Sequence, residues 1–274
     1  MKTRVIVAAI LLPLFLLVLL ACPTWATAAL LAVMSMLAVY ELLYTTGLLR
    51  HIRIIVYAAI AAGGVCFWSC YGCPKVWGLT IAFLFLAALF GEFLFAGTNL
   101  GFAKLGIAVF AGLVIPFCLS ALVRILTMTN GRFYVLVALI LAMTSDSGAY
   151  LVGRKLGKHK LAPVISPHKT VEGFVGGILS CVLCMLLYAV ILQVAFRFTV
   201  DYVSCILYGV FGSVASVLGD LTFSVVKRQC GIKDYGKLMP GHGGILDRFD
   251  SMVVVAPLTE LLLLVTPLIV KGYQ

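Results

Sequence analysis

The stretch from Ser224 to Asp250, SVVKRQCGIKDYGKLMPGHGGILDRFD, holds the densest chemistry in the chain. Its cations are Lys227, Arg228, Lys233, Lys237 and Arg248, and its carboxylates are Asp234, Asp247 and Asp250. Gly241, Gly243 and Gly244 surround His242. Cations hold phosphate, carboxylates hold a hard metal ion, and glycines let backbone N–H groups approach a polyanion. A second set lies just upstream. Ser213, Ser216, Asp220, Ser224 and Lys227 are spaced three, four, four and three residues apart, which places them on one face of an α-helix. Asp220 then lies about 10 Å along the axis from Lys227. Serines on such a face also suit close helix packing, which accounts for Ser213 and Ser216 but not for Asp220. Asp247 and Asp250 are three apart and share a face if a helix begins near them. Acids in a first helical turn also complement the helix dipole.

A third set reads Thr144-Ser145-Asp146-Ser147-Gly148-Ala149-Tyr150, followed by Gly153-Arg154. It continues as Ser166-Pro167-His168-Lys169-Thr170-Val171-Glu172-Gly173. Ser-Pro predicts a helix start, with Ser166 as cap and Pro167 in the first helical position. Lys169 beside that N-terminus makes an anion site. The cations of 154–169 equally suit anchoring to anionic lipid. Carboxylates facing several cations, with glycines between, form a metal-plus-phosphate site. Phosphoryl or nucleotidyl transfer needs positioning and charge neutralisation more than covalent help from protein. A Walker-type phosphate loop and a His-Glu-x-x-His zinc motif are both absent. None of His51, His159, His168 and His242 stands in a clear nucleophilic triad, which argues against hydrolysis through an acyl-enzyme.

The elements that hold these residues must be apolar helices. Hydrophobic residues make up 63% of the chain and charged ones 11%, against roughly 25% charged in soluble domains. Nine apolar runs stand at about 5–21, 25–46, 54–71, 77–97, 107–126, 133–152, 173–196, 202–226 and 251–270. Each is near the ~20 residues that cross a bilayer as helix. Only helices or closed barrels satisfy the backbone in lipid, and these runs lack strand-type alternation. The predicted fold class is therefore all-α, a polytopic integral membrane protein of about nine transmembrane helices. With the N-terminus in the cytoplasm, inner segments hold 15 Lys and Arg and outer ones hold 5, which favours that orientation. The net charge of +10 sits in short loops between apolar runs, which argues against a nucleic-acid partner. Eight of the ten acidic residues follow position 140, the earlier two being Glu41 and Glu92. Residues 1–140 thus read as mainly scaffold and 141–274 as the catalytic helices and loops of a single membrane-embedded domain, 1–274.

Ser224-x-x-Lys227-Arg228-x4-Lys233-Asp234-x-Gly236-x3-Pro240-x-His242-Gly243-Gly244-x2-Asp247-Arg248-Phe249-Asp250 resembles the signature of the phosphatidate cytidylyltransferases, the CDP-diacylglycerol synthases. Ser145-Asp146-x-x-Ala149-Tyr150-x-x-Gly153-Arg154 and Ser166-Pro167-x-Lys169-Thr170-x-Glu172-Gly173 add to the likeness. The motifs span about 145–250, and the whole chain matches in size and hydropathy. Met239 stands where Leu, Ile or Phe is usual, and His168 at a variable position; neither touches a charged site residue. The resemblance implies a cavity facing the cytoplasm, a homodimer in the cell inner (plasma) membrane, and transfer of the cytidylyl group of CTP to phosphatidate with Mg²⁺ (or Mn²⁺). Asp220, Asp247 and Asp250 would hold the metal, with Lys227 as a fourth catalytic residue. Arg228, Lys233 and Arg248 would bind phosphates, with Ser224, Asp234, His242, Gly243 and Gly244 beside them. Asp146 and Lys169 would border the cavity. A CTP-dependent lipid (polyprenol-type) kinase would use a similar site but move the γ-phosphoryl group. An ion-coupled transporter could also bury Glu92, Asp146, Asp220 and Glu260, although the paired repeats with broken helices common in transporters are not found.

Overall fold

The computed structural model describes residues 2–70, 75–97, 100–236, 238 and 243–270. In lipid, each backbone N–H must find its carbonyl within its own segment, so the apolar runs form helices. Helix α1 is Lys2–Ala21. Among the described residues seven further helices are long and apolar enough to cross a membrane. They are α2 (Thr24–Thr45), α3 (Ile52–Cys70), α4 (Lys75–Ala96), α5 (Phe102–Thr127), α6 (Gly131–Leu156), α7 (Val171–Phe196) and α8 (Tyr202–Gln229). A four-residue helix, α9 (Leu246–Phe249), precedes α10 (Met252–Val265). Among the described residues four short strands pair as two antiparallel ribbons: β1 (Lys160–Ala162) with β2 (Ser166–Thr170), and β3 (Thr199–Val200) with β4 (Ile269–Val270). The protein is an all-α, multi-pass membrane protein.

Of the nine expected runs, seven form qualifying helices among the described residues; the apolar stretch Leu11–Ala21 and the 14-residue α10 are shorter. The run 251–270 stops early because Thr266 precedes Pro267, and a residue before proline is driven out of the helical region. The chain then extends into β4. Ser166-Pro167, expected to start a helix, does not. Ser166–Thr170 is strand β2, and α7 begins at Val171, capped by the Thr170 hydroxyl, which accepts from Gly173 N. The hairpin overrides the local preference for a helix start. Glu172 holds it in place, accepting from Lys158 N and His159 N at 3.0 and 3.2 Å and meeting His159 Nδ1 at 2.6 Å.

The chain folds as two compact units. The first joins Met1–Arg132 to Lys227–Phe249. In it α2 packs along α3, with Met36 against Gly63 and Ser35 Oγ 3.5 Å from Cys66 Sγ. Helix α2 ends in a π-helical turn, Glu41–Thr45. Such a turn holds one more residue than an α-turn and re-aims the side chains after it.

The second unit joins Phe133–Val226 to Asp250–Gln274. Its helices approach closely where side chains are missing. A Cβ on Gly148 would overlap the Ser180 side chain, and one on Gly176 would overlap Val152, so α6 and α7 touch backbone to side chain. A Cβ on Gly219 would lie 2.7 Å from the Asp250 carbonyl, which brings α8 against the start of α10. Asp201 caps α8, its carboxylate accepting from Val203 N, Ser204 N and Ser204 Oγ at 3.1, 3.3 and 2.6 Å. The Ser204 hydroxyl holds that carboxyl below its ordinary pKa.

Candidate active site

In the second unit, the close packing of α6, α7 and α8 gathers the polar groups. Ser145 Oγ and Ser213 Oγ lie 2.9 Å apart, both buried, as the packing reading of Ser213 requires. Ser216 Oγ donates to Asp146 Oδ1 at 3.4 Å, so this serine orients a carboxylate as well as packing. About two turns further along α8, Ser224 Oγ donates to Asp220 Oδ1 at 3.2 Å. Asp220 Oδ2 lies 2.5 Å from Lys169 Nζ, on the last-but-one residue of β2. That ammonium is buried with no aligned hydrogen-bond acceptor, so the approach is a charge contact rather than a directed bond. Asp250 Oδ1 accepts from Ser251 N at 2.8 Å, and its carbonyl is the group facing Gly219.

In the first unit the centre is Asp247, on α9. Its side chain is 2% exposed. Oδ1 accepts from Lys227 Nζ at 3.0 Å; Oδ2 accepts from Tyr235 N at 2.7 Å and Gly244 N at 2.9 Å. The Lys227 ammonium also stands 5.4 Å from the centre of the Tyr235 ring. Gly243 has φ +82° and places its Cα where a Cβ would come 2.8 Å from Asp247 Oδ2, so both its conformation and the space require glycine. The backbone at Tyr235 and Gly244 thus closes on one carboxylate. Arg228, Lys233, Asp234 and Arg248 are exposed at its margin. His242 lies outside the described residues. Asp247 and Asp250 do not share one helix: α9 ends at Phe249, and Asp250 stands in the turn that follows.

Sequence reasoning missed one residue here. Glu41, on the π-turn of α2, is 4% exposed and accepts from Ile245 N and Leu246 N at 3.0 and 2.9 Å. The available signal was its rarity, since an acid within an apolar run is a functional candidate by default. Nothing in the local pattern points to partners more than 200 residues away.

The donor chemistry suits a small hard cation. Mg²⁺ takes oxygen ligands and is held by one or two carboxylates plus substrate phosphates. Asp220 and Asp250 are oxygen donors in one unit, joined through the Gly219 contact. Among the described residues no group of three His, Cys, Asp or Glu side chains is placed to hold a metal alone. A cation bound here would rely on phosphate oxygens or water for the rest of its shell.

A membrane protein of helices whose lysines are neutralised by aspartates, beside glycine-rich backbone, is suited to handling anionic phosphates at a membrane. The chain belongs to the Cytidylyltransferase family, which it matches over residues 2–266. It is similar to the phosphatidate cytidylyltransferase of Staphylococcus saprophyticus, at 45% identity over 138 residues, covering 50% of this chain and 52% of that protein. The phosphatidate cytidylyltransferase of Bacillus subtilis is 42% identical over 163 residues, 59% of each chain. That of Staphylococcus aureus is 47% identical over 140 residues, 50% of this chain and 52% of that protein. The matches therefore span between half and three-fifths of the length of these relatives.

Proposed function

We propose that this protein transfers the cytidylyl group of CTP to phosphatidate, giving CDP-diacylglycerol and pyrophosphate. The family and the names of the relatives support this reading. The observation that carries it is the pair of ammonium–carboxylate contacts, Lys169 with Asp220 and Lys227 with Asp247. In each, a group suited to phosphate is stored against a group suited to a metal. Asp220 and Asp247 would hold a divalent cation, which would supply positive charge there, and Lys169 and Lys227 would hold phosphate oxygens. An oxygen of the phosphatidate phosphate attacks the α-phosphorus of CTP, the bond from that phosphorus to the bridging oxygen breaks, and pyrophosphate leaves. That nucleophile is already anionic, so the step needs no strong general base; it needs its repulsion from the triphosphate offset. Lys169, Lys227, Arg228, Lys233 and Arg248 supply positive charge, and Asp220, Asp247 and Asp250 would hold Mg²⁺ (or Mn²⁺). When bound, the cation would neutralise phosphate charge. Asp146, Ser224, Asp234, His242, Gly243 and Gly244 complete the substrate contacts in this reading.

CTP labelled at the α-phosphorus, incubated with purified protein, phosphatidate and Mg²⁺, should send its label to the lipid fraction. Label at the γ-phosphorus should leave as pyrophosphate. Label from the γ-phosphorus in lipid would instead establish a lipid kinase.

The same reading puts a homodimer in the cell inner membrane, with its N-terminus and the 154–172 and 227–248 loops on the cytoplasmic side, where phosphatidate headgroups and CTP meet. The charge asymmetry supports that orientation. In intact cells an impermeant thiol reagent should label Lys75→Cys but not Lys160→Cys in a cysteine-free background. The opposite pattern would reverse the topology.

A further inference from the structure

Glu41 is not itself among the groups that would meet substrate, yet it holds the backbone that carries Asp247. Both its oxygens are used: Oε1 accepts from Ile245 N at 3.0 Å and Oε2 from Leu246 N at 2.9 Å. These amides immediately precede Asp247 in the chain, at the start of α9, where N–H groups have no partner within the helix. One turn further on, the Thr45 hydroxyl donates to the Tyr235 carbonyl or to the Glu41 carbonyl. Tyr235 in turn donates its N–H to Asp247 Oδ2. The π-turn therefore holds the backbone at Tyr235 and again at Ile245 and Leu246. Asp247 ties the same two places together through Tyr235 N and Gly244 N.

Two glycines make room for this arrangement. A Cβ on Gly236 would stand 2.5 Å from Glu41 Oε1, and one on Gly244 would overlap the same carboxylate. These contacts point to close fitting between the α2 turn and the loop rather than to an acid that happens to be buried.

We propose that Glu41 is a positioning residue for the reaction: through the amides of Ile245 and Leu246 it sets where the Asp247 carboxylate lies against the Lys227 ammonium. This rests on the cytidylyl-transfer reading above. A glutamine at position 41 keeps the size but not the function. Its amide offers one oxygen and an NH₂ group, so one of the two backbone N–H groups would face a donor.

Three proteins decide the matter: wild type, Glu41→Gln and Gly236→Ala, each purified as the full chain. Hydrogen bonds to a charged group are the strong ones, so Glu41→Gln should lower kcat about tenfold or more. Its KM for CTP should stay within about threefold, because the loss falls on geometry needed in the transition state. Gly236→Ala keeps the carboxylate but pushes it aside, and should show the same split. Hydrogen exchange of peptides covering 243–250 should quicken in both variants, while peptides from α7 exchange as in wild type. Wild-type kcat in Glu41→Gln overturns the proposal. So does a rise in KM as large as the fall in kcat, or faster exchange that extends to α7, since those mark a uniform or merely structural effect. A wild-type protein that transfers no α-label to lipid sinks the functional reading itself. An active wild type beside a normal variant sinks only the role of Glu41.

Discussion

Asp220→Asn should lower turnover by about two to three orders of magnitude, the range seen when one preorganised electrostatic group is removed from a transition state. The carboxamide is nearly isosteric, keeps an acceptor for the Ser224 hydroxyl, and is a poor ligand for a hard cation. It also leaves Lys169 without the charge it now faces. Asp250→Asn should behave in the same way. Asp247→Asn should lose more than turnover, because an NH₂ group would replace an acceptor of Tyr235 N, Gly244 N or Lys227. The measurement is kcat at saturating Mg²⁺, with insertion and purification checked in parallel. Near-normal kcat in all three variants would remove the metal role assigned to these carboxylates.

Lys227→Met should be the most damaging substitution for the fold of the first unit. Its ammonium and the Asp247 carboxylate have side chains 12% and 2% exposed. Removing one partner of a buried pair leaves an uncompensated charge and costs about 3–5 kcal/mol. Lys227→Met with Asp247→Asn removes the second charge as well. That double variant should regain much of the lost thermal stability and none of the turnover. A double variant that stays as unstable as the single would show that the pair is not the source of the cost. A double variant with wild-type turnover would show that neither group serves the reaction. The two readouts separate because stability responds to net buried charge, while transfer responds to the particular groups.

The stripe on α8 was legible because helical spacing is local: Asp220, Ser224 and Lys227 needed only an unbroken helix, and Tyr202–Gln229 is one. Asp146 was legible for another reason, that charge in lipid is costly and so stands out against apolar neighbours. What pairs with what was not legible. Lys169 meets Asp220 because a hairpin, not a helix start, leads into α7. The Ser-Pro signal is a local preference, and the strand pairing with Lys160–Ala162 outweighs it. The π-turn was hidden as well, since it closes α2 and no further helical turn follows it to show a shift in apolar phase. Proline did carry the correct end of α10, but a count of apolar residues does not weigh Thr266-Pro267 against its neighbours.

The glycine contacts of the second unit divide the tolerance of this chain to substitution into two kinds. Asp220→Asn should leave a protein that still accumulates, so its loss should show only when turnover is measured. Gly148, Gly176 and Gly219 carry no side chain to do chemistry, yet any side chain there would collide with Ser180, Val152 or the backbone of Asp250. Such a change raises the unfolded fraction, and cells remove unfolded protein, so its loss shows as missing enzyme at the membrane rather than as a slower one. The positions with the least chemistry are thus as constrained as the charged ones, and abundance rather than rate is the quantity that reveals them.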